Sequence, residues 1–133
     1  MRLMPHLSFN GQCEAAFAVY AACFGGEIAF LLHYRDSGSI YPPELADKVF
    51  HATLKVGDQV LTGVDVASDR YEKPQGFSVQ MNLSDPAKAQ AIFDALREGG
   101  LVQFPLGKTT WAGAYAVLTD RFGIPWEVNC GTF

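Results

Sequence analysis

The stretch FNGQCEAAFAVYAACFGG, residues 9–26, decides the fold. Within it Phe17, Tyr20, Ala21 and Phe24 recur at spacings of three and four, which sets them along one side of a helix over residues 12–24. Asn10 is a suitable cap, and Gly25-Gly26 supplies the left-handed stop. Before the helix, Met4 to Asn10 alternates as a strand, with Leu7 and Phe9 on one face and His6, Ser8 and Asn10 on the other. After it, residues 27–35 read as a strand and 36–48, with Gly38, Pro42 and Pro43, as a long loop. Residues 49–56 and 59–64 form two more strands joined by a tight turn at Gly57-Asp58.

The same pattern returns at an offset of 74 residues: Leu7 goes to Met81, Phe9 to Leu83, Asn10 to Ser84, Gly25-Gly26 to Gly99-Gly100 and Phe30 to Phe104, without a gap. The second half then reads as a strand over 76–84, a helix capped by Ser84 with Pro86 in its first turn, a strand over 101–104, and a closing hairpin of 114–119 and 125–130. Ala89, Ile92, Phe93 and Leu96 form the apolar stripe of that second helix. A half of roughly 60 residues buries little core alone, so module 1 (1–66) and module 2 (76–133), joined by a linker (67–75), are expected to form a single domain over 1–133. The predicted fold is α+β: two tandem βαβββ modules forming curved mixed sheets around a cavity, with helices on the outer face. Met4, His6, Ser8 and Asn10 in one half, and Ser78, Gln80 and Asn82 in the other, fall on the face away from the helices, a natural lining for a small ligand.

Charge and composition exclude several partners. Fourteen acidic against 10 basic side chains give a net charge of −4, without a basic run to hold a nucleic-acid backbone or an anionic membrane. The most apolar stretch, Ala15 to Phe24, is half the ~20 residues that a bilayer crossing requires. Three cysteines, Cys13, Cys23 and Cys130, form no close pair and are expected as small packing residues in a reducing, cytoplasmic interior. The double glycines follow helices, where they end them, and do not precede helices, where they would cradle phosphate. No Gly-x-Ser-x-Gly elbow, His-Glu-x-x-His helix or paired CxxC is present.

The segments FNGQCEAAFAVY (9–20), CFGGE (23–27), VFHATLKVGDQVL (49–61) and DRFGIPWEVN (120–129) resemble those of PhnB-like proteins of the vicinal oxygen chelate superfamily, which includes glyoxalase I and bleomycin-resistance proteins. The resemblance spans the whole chain. It implies a homodimer or a paired-module cup and, in many enzymatic members, a divalent metal held by four side chains from the first, fourth, fifth and eighth strands. Glu127, four residues after Gly123, matches the eighth-strand glutamate. Met4 and Ser78 fall at the first-strand and fifth-strand ligand positions, and neither is a usual ligand for zinc, nickel or iron. A rearranged set of His6, His51 and Glu127, holding Zn, Ni, Mn or Fe, is the metal-binding alternative. The methyltransferase label that some PhnB-like sequences carry finds no glycine-rich cofactor turn here, so that activity is not expected.

Two functions follow from these residues. The first is a binding module that holds a small organic molecule, its pocket drawing on Ser8, Ser78, Gln80 and the loop residue Trp111. The second is a divalent-metal-dependent lyase, isomerase or dioxygenase, with Glu127 as ligand or base and His51 or His6 beside it. The missing ligands at Met4 and Ser78 favour the first. Phe50, Phe77, Tyr115, Phe122 and Trp126 are expected in the core, and His33 at a sheet edge.

Overall fold

Strand, helix and three further strands follow one another twice in the computed structural model, which describes residues 1–131. The first module comprises β1 (His6–Phe9), α1 (Cys13–Phe24), β2 (Glu27–His33), β3 (Val49–Val56) and β4 (Gln59–Asp65). The second comprises β5 (Val79–Leu83), α2 (Pro86–Arg97), β6 (Leu101–Gly107), β7 (Ala114–Thr119) and β8 (Pro125–Cys130). Each module closes its own mixed sheet, in the orders β1-β4-β3-β2 and β5-β8-β7-β6. The first strand of each lies parallel to the last, and the other pairs are antiparallel. This is the α+β arrangement of tandem βαβββ modules that the repeat predicts. The chain forms two compact units, Met1–Glu72 and the part from Lys73 onward.

In module 1 the helix lies on the face of Leu7, Phe9, Ala52 and Leu54, all buried. Its own buried residues are Cys13, Ala16, Phe17, Tyr20 and Phe24, and their rings run on from Phe9 in a series of contacts about 6 Å apart. Gly63 makes room for that series. A Cβ there would sit 2.7 Å from the Phe17 ring and 3.0 Å from Cys13 Sγ. Fully burying one such ring contributes about 1.5–3 kcal/mol, so this line of four aromatics is a substantial part of the module's core.

The cap predicted at Asn10 is not the one observed. Gly11 takes a φ of 84°, which starts the helix two residues later, and Gln12 in the cap position makes no side-chain bond. The free helical N–H is taken from across the sheet: Asp65 Oδ1, at the end of β4, accepts from Cys13 N at 2.9 Å, while its Oδ2 accepts from Val49 N at 2.9 Å. Only 1% of Asp65 is exposed, so a buried carboxylate ties the helix start to two strands. Strand β2 also ends two residues early, because a 3-10 turn over Tyr34–Asp36 takes over.

In module 2, Ala89, Ile92, Phe93 and Leu96 of α2 cover a sheet face carrying Ala116, Leu118, Trp126 and Val128. Asp85, not Ser84, is the cap. Pro86 opens the helix, so the residue just before it supplies the oxygen, accepting from Ala87 N at 3.0 Å. The segment DRFGIPW builds the turn into β8: the Asp120 carboxylate accepts from Phe122 N (2.8 Å), Ile124 N (3.0 Å) and Trp126 Nε1 (2.8 Å).

The repeat is not gapless. Its offset of 74 holds at the glycines, since Gly26 and Gly100 both press on a strand carbonyl where a Cβ would come within 2.5 Å and 2.4 Å. The buried helical faces instead correspond at 76: Cys13, Ala16, Phe17 and Tyr20 match Ala89, Ile92, Phe93 and Leu96. Two residues turn a helix by roughly 200°, so keeping the offset of 74 would have pointed the second stripe at solvent. The helix slips by two residues to keep its apolar side on the sheet.

Candidate functional site

Alternation along β8 sends Trp126, Val128 and Cys130 toward the helix and leaves Glu127 and Asn129 on the open face. Glu127 lies opposite Gln80 on β5 and Val117 on β7, and Asn129 lies opposite Asn82 and Tyr115. Two hydroxyls fix the Glu127 carboxylate: Ser78 donates to Oε2 and Tyr115 to Oε1. Donating to a carboxylate holds the Tyr115 hydroxyl proton, and this bond, aided by burial and by the charge of Glu127, raises the tyrosine above its ordinary pKa. Rings flank the pair. Phe104 lies 5.7 Å from Tyr115, and Trp111, 54% exposed, meets it edge-on at 5.3 Å.

The rest of this face is an amide chain. Gln80 donates to Asn82 Oδ1 at 2.9 Å, and Asn129 donates to the same oxygen at 3.1 Å. The Asn129 carbonyl oxygen is buried and has no hydrogen-bond partner among the described residues.

On the open face of module 1, His6 Nδ1 lies 2.7 Å from Thr62 Oγ1 and His51 Nε2 lies 3.2 Å from Thr53 Oγ1. The two imidazoles stack, with centroids 6.1 Å apart and planes 18° from parallel, and Phe30 adjoins His51 at 6.0 Å. Burial and the neighbouring His51 lower the pKa of His6. Ser8 shares this face, opposite Val64. Met4 precedes β1, and Ser78 immediately precedes β5.

The structure therefore gathers Glu127 with Ser78 and Trp111, and His6 with His51, from the residues that the sequence singles out. Gln80 lies opposite Glu127 but spends its amide on Asn82. Phe77 and Tyr115 are the corrections, both expected in the core: Phe77 is 51% exposed ahead of β5, and Tyr115 stands on the open face and holds the carboxylate. The parity of Tyr115 was available, because an antiparallel hairpin that sets Val117 opposite Glu127 sets Tyr115 one step away on the same face. His33 lies at the end of the outer strand β2, 2.8 Å from Glu14. The cysteines are free thiols; burial, aided by nearby carboxylates, drives Cys13 far up, and burial pushes Cys23 up to about 11.

The model of the 3-demethylubiquinone-9 3-methyltransferase family matches residues 1–129. The chain belongs to that family. It is similar in structure to protein PA1353 from Pseudomonas aeruginosa, with a TM-score of 0.92 and 40% identity over 100% of this chain and 99% of that one. The PhnB protein from Bacillus cereus, whose description carries the same methyltransferase name, matches with a TM-score of 0.84 and 21% identity over 98% of this chain and all of that one. A glyoxalase/bleomycin resistance protein/dioxygenase family enzyme from Burkholderia phytofirmans PsJN matches with a TM-score of 0.63 and 14% identity over 94% of each chain. The chain is thus PhnB-like, with the vicinal oxygen chelate fold.

Many proteins of this fold hold a divalent metal, but the described side chains of this PhnB-like chain form no ready-made site for one. Among the described residues no three His, Cys, Asp or Glu side chains gather to hold an ion. A ring nitrogen of each of His6 and His51 is engaged by a threonine hydroxyl, and both oxygens of Glu127 accept hydroxyl protons. A nucleotide-type cofactor turn is no better served: Asp65 occupies the N–H at the start of α1, and Asp85-Pro86 opens α2. No helix of the described residues is long and apolar enough to cross a membrane.

Proposed function

We propose that this PhnB-like chain binds a small organic molecule on the open sheet face of module 2. The observation that carries this reading is a half-buried carboxylate, Glu127, held by Ser78 and Tyr115 beside the exposed rings of Phe104 and Trp111. Oriented polar groups beside uncovered aromatic surface are what a small-molecule site requires. In this reading Glu127 is the polar anchor, Ser78 and Tyr115 set its direction, Trp111 closes over the ligand, and Gln80 lines the edge. Ser8, His6 and His51 are a second polar patch on the open face of module 1. No step is derived through a metal, because among the described residues no three metal-ligating side chains gather.

We further infer that the two modules work as a single domain, and that the protein is a cytoplasmic homodimer. Three free thiols suit a reducing compartment, and Ile28, Phe30, Leu101 and Phe104 leave apolar surface on the outer strands β2 and β6. A monomer in sedimentation at micromolar concentration overturns the dimer.

Ligand titration tests the site. Trp126 is buried and Trp111 exposed, so a ligand on this face is expected to change the fluorescence of Trp111 saturably, and the change should vanish in Trp111→Phe. A panel of ring-bearing metabolites that alters neither the fluorescence nor the melting temperature overturns the reading.

A further inference from the structure

Asn129 is the least explained side chain of module 2. Only 5% of it is exposed, yet its carbonyl oxygen is buried and bonded to nothing among the described residues. Its amide nitrogen is already committed to Asn82 Oδ1, which also accepts from Gln80, so the orphan is an acceptor. Leaving such an atom unpaired costs about 1–3 kcal/mol, which a folded chain tolerates where a ligand completes the bond.

Glu127, two residues along the same strand and on the same face, is also an unsaturated acceptor. A carboxylate offers about four lone-pair positions, and the hydroxyls of Ser78 and Tyr115 fill two. Neither ion pair found in the structure involves Glu127, so among the described residues its charge has no cationic partner. The groups around it present ring faces and edges: Tyr115, with Phe104 and Trp111 against it. Two unsaturated acceptors, the charged and half-buried carboxylate of Glu127 and the buried oxygen of Asn129, beside three aromatic rings describe a site that lacks a cation bearing N–H donors.

We propose that the open face of module 2 takes an organic cation, a planar ring carrying an amidinium or ammonium group whose N–H donors reach Glu127 and Asn129 while the ring packs on Tyr115, Phe104 and Trp111. This rests on the reading that the face binds a small molecule, and narrows it to a class. Anionic ligands are disfavoured by Glu127. A neutral amide satisfies the acceptors but leaves the charge uncompensated.

The test is a titration of the labelled full chain, followed by amide NMR shifts at Tyr115, Glu127 and Asn129, with four probes: benzamidine, phenethylamine, benzamide and benzoate. The two cations are expected to bind saturably and about tenfold or more tighter than benzamide or benzoate, since a desolvated charge pair with a ring contact is worth at least that factor. Glu127→Gln should abolish the preference. Asn129→Leu should weaken the cations while leaving their preference over benzoate, and it carries the test if Glu127→Gln does not fold. Binding of benzamide or benzoate to this face as tightly as benzamidine overturns the cation class and leaves the small-molecule reading standing. A face silent to all four probes, and to the metabolite panel, overturns both.

Discussion

Where module 2 carries Tyr115, Glu127, Gln80 and Asn82, the matching strand positions of module 1 carry His51, Thr62, His6 and Ser8. The match follows from pairing alone, since Ala52 opposite Gly63 occupies the place of Ala116 opposite Val128. One ring contact recurs in both modules, Phe30 on His51 and Phe104 on Tyr115, at 6.0 Å and 5.7 Å. Beyond that contact the open faces diverge. Module 1 stacks two imidazoles above a threonine, whereas module 2 suspends a carboxylate between two hydroxyls. The helix-facing sides keep one character, because an apolar stripe must be covered in either module, and the uncovered side is free to differ. The polar side chains that distinguish the two modules therefore lie on the face without a helix.

The modules also differ in how they hold their helices, and this gives the largest expected effect. Removing the carboxylate in Asp65→Ala strands the N–H groups of Cys13 and Val49 in the core, and urea unfolding should register a loss of about 3–5 kcal/mol. Asp85→Ala removes only a local, exposed cap and should cost about 1 kcal/mol. Equal losses from the two variants would break the contrast between a cap delivered across the sheet and one delivered by the chain neighbour.

A second expectation sharpens the contrast at the open faces. Asn129→Leu removes a buried orphan oxygen, so it should raise stability by about 1 kcal/mol even as it weakens the ligand. A variant that is both less stable and unaltered in binding contradicts the assignment of Asn129.

Titration reads the bond between Tyr115 and Glu127. Because the Tyr115 pKa is raised, the folded protein keeps a proton that the unfolded chain releases, and the stability this contributes is present below a pH of about 10 and declines as pH rises beyond it. Tyrosinate absorbance should show Tyr115 ionising at lower pH in Glu127→Gln, and an unchanged titration would remove the bond from the account.

The smallest expected effect belongs to module 1. His6 has a lowered pKa, so the unfolded chain binds the extra proton first and stability declines as pH falls below about 6.5. His6→Gln should flatten that slope, measurable by chemical denaturation across the acid range. A slope that persists in His6→Gln assigns it elsewhere.

How much of this was legible differs by range along the chain. Strand alternation from Leu7 to Phe9, the glycine stops and the closing hairpin are local patterns, and the sequence states them directly. The motif DRFGIPWEVN was visible as a unit, but not that its aspartate builds a turn while its glutamate serves an open face. Asn10 looked like a cap because only neighbours can be judged from a sequence, whereas the oxygen that serves the start of α1 comes from Asp65, 52 residues beyond Cys13; Ser84 misses by one residue, because Pro86 opens α2 and leaves Asp85 as the cap.

The sequence by itself determined the two βαβββ modules, the side of each strand that faces a helix and the placing of Glu127 away from the helices, because periods of two and 3.6 residues are properties of the backbone. Tertiary structure alone decided that α2 slips by two residues, that Tyr115 and Ser78 close on Glu127, and that Asn129 is left with an unpaired oxygen. Those outcomes depend on which strands lie side by side, and that is settled by burial summed over the whole sheet.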